Sequence, residues 1–176
     1  NLDAAYTAQK EQEILDNIQK QLSDIQIFVE DKIISTYLML ILATKRTNFF
    51  VIGEDGLYRD FISLKMASRE IDDLPLPRPE IDTFVYSAKF EAIHLRGGKV
   101  ARGGLRWTDR SEDFRKVVLD LMKAQMTKNS LIVPSGCKGG FVVKQVPEDK
   151  DEFFKFGIEC YKNFLRGILD ITDNIV

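Results

Sequence analysis

The chain has 176 residues, of which 44% are apolar and 30% charged, and its formal net charge is −2. These proportions are typical of one folded domain and exclude a collagen-like, low-complexity or wholly disordered chain. Its two cysteines exclude a disulfide framework and no apolar run is long enough to cross a bilayer, so we expect a cytoplasmic protein without a membrane partner.

The first predicted element is a long helix from about Glu13 to Thr44. Apolar residues recur at three- and four-residue steps and form one stripe, which is typical of an amphipathic helix. From Ile33 onward apolar residues occur on all sides, which predicts that this end is buried. A stripe of this length would also fit a coiled coil or a partner helix, and we favour burial against the same chain.

Two strands are predicted next, over residues 48–52 and 61–66, on either side of a turn at 53–56 that contains two glycines. The apolar residues of the second strand alternate with polar ones, as expected where one face is buried.

A proline-rich segment follows at residues 75–79, with prolines at alternate positions. Such a segment can join neither a helix nor a central strand, so we interpret it as an extended connector rather than as a ligand for a proline-binding domain. The predicted organisation is an N-terminal helix and hairpin layer over 1–74, the connector, and a functional core over 80–176.

The core is predicted to alternate strands with helices. Its predicted elements are strands at 83–87 and 91–96, a helix at 109–129 capped by Asp109, strands at 131–134 and 141–144 on either side of a glycine loop, and a helix at 151–172. This alternation indicates an α/β fold with a mixed open sheet packed by helices.

Charge is distributed unevenly along the chain. Residues 96–144 hold eleven lysines and arginines against four acidic residues, whereas the remainder of the chain is acidic. A local positive field of this kind indicates an anionic partner, which could be a carboxylate, a phosphate or a nucleic acid.

Glycine pairs stand beside cations twice in this basic segment. Arg102 precedes Gly103 and Gly104, and Lys138 precedes a second glycine pair. Glycines let a ligand approach the backbone closely, and an arginine can offer a planar fork to a carboxylate. Lys138 is long enough to reach a ligand, and a lysine acts as a base only in its neutral form, which burial and neighbouring cations such as Arg102 and Lys128 favour.

Several motifs here occur in the order found in one known family. They are His94–Trp107 (HLRGGKVARGGLRW), Lys123–Gln125 (KAQ), Lys128–Asn129 (KN) and Val133–Phe141 (VPSGCKGGF). Together they resemble the large bacterial NAD-specific glutamate dehydrogenases, most strongly over residues 84–143. The resemblance implies a glutamate-dehydrogenase-type substrate-binding domain with an N-terminal helical arm.

The resemblance also implies roles for individual residues. Arg102, with Gly103 and Gly104, would hold one carboxylate of the substrate, Lys128 the other, and Lys138 would be the catalytic lysine. The implied reaction is oxidative deamination of L-glutamate to 2-oxoglutarate and ammonia. NAD would be bound by a domain that we expect to lie outside this chain, so we predict no cofactor-binding residue here and no activity for the isolated fragment. The full-length enzyme is expected to be a homo-oligomer.

Two other interpretations stay open at this point. The Arg-Gly-Gly sequences and the positive field would suit a nucleic-acid-binding module, but no aromatic-rich stacking strand accompanies them, so we predict no nucleic-acid partner. The fragment could also be an interaction scaffold that uses its first helix. The single histidine, His94, and Cys137 are predicted to be structural, and no cysteine–histidine spacing predicts a metal site.

Overall fold

The computed structural model describes residues 2–53, 55–129 and 135–173, and the chain divides into two compact units, residues 1–42 and 43–176. The proline-rich segment at 75–79 therefore lies inside the second unit, where it joins two strands of one sheet. The sequence had placed a boundary at this segment, because alternate prolines resemble an interdomain linker.

The N-terminal region is helical but is not one helix. α1 spans Leu2–Ser23 and α2 spans Phe28–Ala43, so the prediction of one helix from Glu13 to Thr44 is wrong. The hydroxyl of Ser23 donates to the carbonyl oxygen of Lys20 and Asp24 N–H to that of Gln21, which closes α1 with a tight turn. Apolar periodicity continues across this break and therefore could not reveal it.

The predicted burial of the end of this helical region is wrong for several of its large side chains, whereas Leu38, Met39 and Leu40 are half-buried. Ile33, Tyr37 and Ile41 are all more than half exposed, and Ala43 is the buried residue of α2. None of the described helices combines the length and the apolar character that a membrane span requires.

The second unit is built on a six-stranded mixed sheet in the order β1-β2-β3-β4-β6-β5. Its strands are β1 (Thr44–Thr47), β2 (Phe61–Met66), β3 (Ile81–Ser87), β4 (Phe90–Arg96), β5 (Arg102–Trp107) and β6 (Gly136–Val143). Neighbouring strands are antiparallel except β5 and β6, which are parallel and connected through a helix. The predicted α/β fold with a mixed sheet packed by helices is confirmed.

Two helices cover opposite faces of this sheet. They are α3 (Phe114–Asn129) and α4 (Lys150–Asp170). Phe141 packs with Phe164 of α4, whereas its neighbour Val142 packs with Val118 of α3, because successive residues of a strand face opposite sides. α4 begins at Asp149, whose carboxylate accepts from two backbone N–H groups of the first turn.

Three local predictions differ from the structure or fall outside it. The strand expected at 48–52 is replaced by β1, an exposed edge strand of polar residues with no apolar alternation to mark it. The helix expected from Asp109 begins at Phe114, and Asp113 rather than Asp109 supplies the carbonyl of its first turn. The strand expected at 131–134 lies outside the described residues.

Candidate active site

The two glycine-rich segments are strands and not loops, contrary to the prediction for residues 135–140. β5 and β6 pair in parallel register, with Arg102 opposite Gly136 and Gly104 opposite Lys138. A Cβ atom built on Gly103 would overlap the carbonyl oxygen of Cys137. Only glycine at position 103 therefore allows the two backbones to approach so closely. Glycines in a sequence can indicate either a loop or such a close strand pairing, and the sequence alone does not show the partner strand.

Lys138 is the third residue of β6, the strand that lies between β4 and β5. It is half-buried, and its cross-strand partners are Leu95 and Gly104. Because Val142 of the same strand packs against α3 and alternate residues share a face, Lys138 lies on the α3 side of the sheet. A Cβ atom on Gly104 would lie 3.8 Å from Lys138 Nζ, so the end of the lysine side chain extends over bare backbone of β5.

Arg102 is the first residue of β5 and lies on the same face. It is opposite Gly136, two residues before Lys138 in β6, so the two cations occupy diagonal positions in the parallel pair. The Arg102 side chain is exposed, and its backbone N–H donates to the carbonyl oxygen of Ser135 at 3.1 Å. The start of β5 is thereby fixed to the start of β6.

Lys128 belongs to the last turn of α3, which rests on this end of the strands. A Cβ atom on Gly136 would lie 2.7 Å from Met126 N and 2.9 Å from the carbonyl carbon of Gln125, so only glycine admits the helix here. Lys128 is exposed two residues beyond Met126. The last turn of α3, the start of β5 and the first half of β6 are thus adjacent, and each carries one of the predicted cations.

A buried ion pair ties the other end of α3 to the sheet, and sequence reasoning missed it. Arg115 Nη2 donates to Asp82 Oδ2 at 2.7 Å, and the Asp82 side chain is 3% exposed. Burial raises the pKa of Asp82, and Arg115 opposes that shift. Asp82 Oδ1 has no hydrogen-bond partner among the described residues. Nothing local marks Asp82 in the sequence, because its partner lies 33 residues away.

The opposite side of the strands carries groups that are held neutral. His94 is opposite Gly139, and burial, with a contribution from Arg96, lowers its pKa to about 4. Burial likewise raises the pKa of the Cys137 thiol. Both groups are uncharged near pH 7, as befits the structural roles predicted for them.

The match to known proteins covers most of the chain. A family model described as bacterial NAD-glutamate dehydrogenase, catalytic domain, matches residues 17–176. The chain is 48% identical over 157 residues to the NAD-specific glutamate dehydrogenase of Halomonas elongata, covering 88% of the chain and 10% of that protein. It is 49% identical over 168 residues to the enzyme of that name from Pseudomonas aeruginosa, covering 94% of the chain and 10% of the relative.

A third relative shows the same relationship. The NAD-specific glutamate dehydrogenase of Mycobacterium tuberculosis is 49% identical over 153 residues, which are 82% of the chain and 9% of that protein. The chain therefore spans about a tenth of the length of the curated relatives it matches.

Proposed function

Because the chain belongs to the catalytic-domain family of the bacterial NAD-glutamate dehydrogenases, we propose that it supplies the substrate-binding wall and the catalytic lysine of such an enzyme. The proposed reaction is oxidative deamination of L-glutamate to 2-oxoglutarate and ammonia with NAD as the hydride acceptor. Family membership confirms the resemblance carried by the motifs between His94 and Phe141. The observation that carries the proposal is the shared position of Lys138, Arg102 and the last turn of α3 at one end of β5 and β6.

Arg102 and Lys128 are proposed to hold the two carboxylates of the substrate. Glutamate is a dianion at its two ends, so a cation on a strand and a cation on the adjacent helix turn can fix both ends and thereby its orientation. Gly104 adds no side chain on the face that carries Arg102 and Lys138, which leaves room for the substrate against β5.

Lys138 is proposed to act as the general base. Once Cα has lost its hydride the substrate is an iminium, and water must attack that carbon while a base removes a proton from the water. Lys138 Nζ would take this proton and return it to the departing ammonia. Its place over Gly104, on the same face as Arg102, supports this role because a substrate held by Arg102 would lie within reach.

The described residues do not fit NAD. Dinucleotides bind where a glycine-rich turn leads from a parallel strand into a helix. The turn from β5 into α3 contains no glycine and carries Asp109, Glu112 and Asp113, whose charges would repel a pyrophosphate. We therefore assign NAD binding to a part of the enzyme outside the described residues. The homo-oligomeric state and cytoplasmic location of the full-length enzyme stay predictions.

No observation favours a nucleic-acid-binding function. Arg102, Gly103 and Gly104 form strand backbone paired with β6, and such a segment cannot wrap a nucleic acid as a flexible arginine–glycine repeat does.

The direct experiment is the Lys138→Ala substitution in the full-length enzyme, with glutamate-dependent reduction of NAD as the readout. Loss of a general base is expected to lower kcat by about 10²- to 10⁴-fold, with circular dichroism unchanged. Lys144→Ala is the matched control, because Lys144 lies just beyond β6 and pairs with Glu91 at 2.9 Å. Turnover of the Lys138 variant at the wild-type rate would overturn the assignment.

A further inference from the structure

A pocket of about 530 Å³ lies on the face of the sheet opposite Lys138. Thr83 and Arg96 line it, and both occupy the alternate strand positions that also place Val85 and Ala92 against α4. Residues at the end of α4, including Ile168, complete the lining of the pocket. The sheet therefore separates this pocket from the proposed active site.

The pocket carries more positive than negative charge. Lys45, Lys65, Arg96 and Lys99 line it, against the two acidic residues Glu80 and Asp173. Lys65, whose side chain is only 16% exposed, pairs with the exposed carboxylate of Asp173, and Lys45 pairs with Glu70 at 2.7 Å. Surface ion pairs of this kind hold their partners weakly, so an incoming anion can compete for the lysines.

The other two cations have no acidic partner among the described residues. Arg96 Nη2 donates to the carbonyl oxygen of Lys99 at 2.6 Å, which closes the end of β4 into a turn and fixes the guanidinium. The Lys99 side chain is exposed at the same edge. Glu80 lines the same side, because its backbone N–H donates to the carbonyl oxygen of Arg96, but its carboxylate pairs with Arg69 at 2.9 Å and with neither of these cations.

The floor between the two cationic sides is apolar. It is formed by Ile81, Ile168 and Ile171, and Ile171 is 3% exposed. Lys45 and Lys65 come from β1 and β2, whereas Arg96 and Lys99 come from the end of β4 and the turn that follows it. β2 and β4 are two strand spacings apart, which is about 10 Å between backbones.

We propose that this pocket binds a small organic dianion, a dicarboxylate with a short aliphatic chain. One carboxylate meets Lys45 and Lys65, the other meets Arg96 and Lys99, and the methylene groups lie on the isoleucine floor. The volume is within the range of small-molecule sites in proteins. An inorganic phosphate could reach only one cationic side and would leave the apolar floor uncovered.

The pocket and the proposed active site share one connecting segment. Gly98 and Lys99 form part of the pocket wall and belong to residues 97–101, which lead from β4 directly into Arg102. The dianion in this pocket is a different molecule from the substrate at Lys138, because the two lie on opposite faces of the sheet.

Equilibrium dialysis of the full-length enzyme with radiolabelled glutarate tests the proposal. Glutarate is a dicarboxylate without an amino group, so it binds without turnover. Wild type is expected to bind two equivalents per chain, one in this pocket and one at the proposed active site. Arg96→Met and Lys99→Met should each weaken the pocket equivalent by about tenfold, the effect of one charge-assisted hydrogen bond. Lys99 is exposed, so its variant keeps the fold even if the Arg96 variant does not.

The control variant is Lys162→Met, because Lys162 lies on an exposed part of α4 and pairs with Glu159; it should bind like wild type. An unchanged dissociation constant for the pocket-bound glutarate in both pocket variants would overturn the proposal, as would displacement of this glutarate by equimolar inorganic phosphate. Arg102→Met should remove a different equivalent. If Arg102→Met still binds that second glutarate, the result counts against the proposed function and not against this pocket.

Discussion

Lys138 and Gly104 are directly opposite each other in the parallel pair of β6 and β5, and a Cβ atom on Gly104 would lie 3.8 Å from Lys138 Nζ. The adjacent Gly103 faces the other side of the same strand, where a Cβ atom would overlap the Cys137 carbonyl oxygen. Two consecutive glycines therefore meet different constraints, one from a functional side chain and one from the backbone.

This difference predicts opposite outcomes for two alanine substitutions. Gly103→Ala should lower the free energy of unfolding by about 1–3 kcal/mol or more, because β5 must move away from β6. Gly104→Ala should leave stability nearly unchanged, because its methyl group would be in ordinary contact with Lys138 Nζ. It should lower kcat in the full-length enzyme, because that methyl group would occupy space beside the proposed general base. Urea unfolding of the 176-residue chain, followed by the fluorescence of its single tryptophan, measures the first effect, and enzyme kinetics measures the second. Equal stability of the two variants would contradict the strand geometry.

The proposed carboxylate-binding residues should act mainly on KM. Removal of a charge-assisted hydrogen bond costs about 1.5–3 kcal/mol, so Arg102→Ala and Lys128→Ala should each raise KM for glutamate by about 10- to 100-fold in the full-length enzyme. Lys123→Ala is the matched control on α3, because Lys123 pairs with Asp120 at the helix surface. An Arg102→Ala enzyme with wild-type KM would exclude Arg102 as a substrate ligand.

His94 should make stability depend on pH in the acid range. Burial lowers its pKa from 6.5 to about 4 in the folded chain, so between these values the unfolded chain binds more protons. Stability should therefore be complete above pH 6.5 and fall as the pH drops towards 4, by a total of about 3 kcal/mol. Urea unfolding at a series of pH values measures the slope. His94→Gln should flatten it, and a slope that survives in this variant belongs to other groups.

The ion pair between Asp82 and Arg115 should show strong coupling in a double-mutant cycle. Arg115→Met leaves a buried carboxylate without its partner and should cost about 3–5 kcal/mol of unfolding free energy. Adding Asp82→Asn removes that buried charge and should recover a large part of the loss. Lys123→Met, which breaks a surface pair, should cost less than about 1 kcal/mol. Additive effects of the Asp82 and Arg115 substitutions would show that the pair is not coupled.

The pattern of apolar residues predicted those helices and strands that bury one regularly spaced row of side chains in the core. The strands at 83–87 and 91–96 and the helix at 151–172 match β3, β4 and α4 within a few residues, because each presents periodic apolar side chains to the core. Asn48 had no such signal. It is buried, and its side chain accepts from Ser63 N–H at 2.7 Å, an interaction that only the folded sheet creates.

The sequence allowed the candidate residues to be selected by their type, but it did not predict the backbone conformation in which they lie. Arg102 and Lys138 could be selected because cations beside glycines have a chemical use. Their positions in strands could not be predicted, because the contact that excludes a side chain at Gly103 is made by Cys137, 34 positions away in the sequence. Asp82 was missed for the same reason, because burial and a distant arginine give it its character.

The position of Lys138 on an inner strand has a consequence for the energetics of turnover. Hydrogen bonds to β4 and β5 on either side hold its backbone, so the arrival of a substrate needs no ordering of the chain at this residue. The reorganisation energy that a flexible loop would add to each catalytic cycle is absent here. Opening and closing of the enzyme around its substrate must then be sought in parts of the molecule other than this strand.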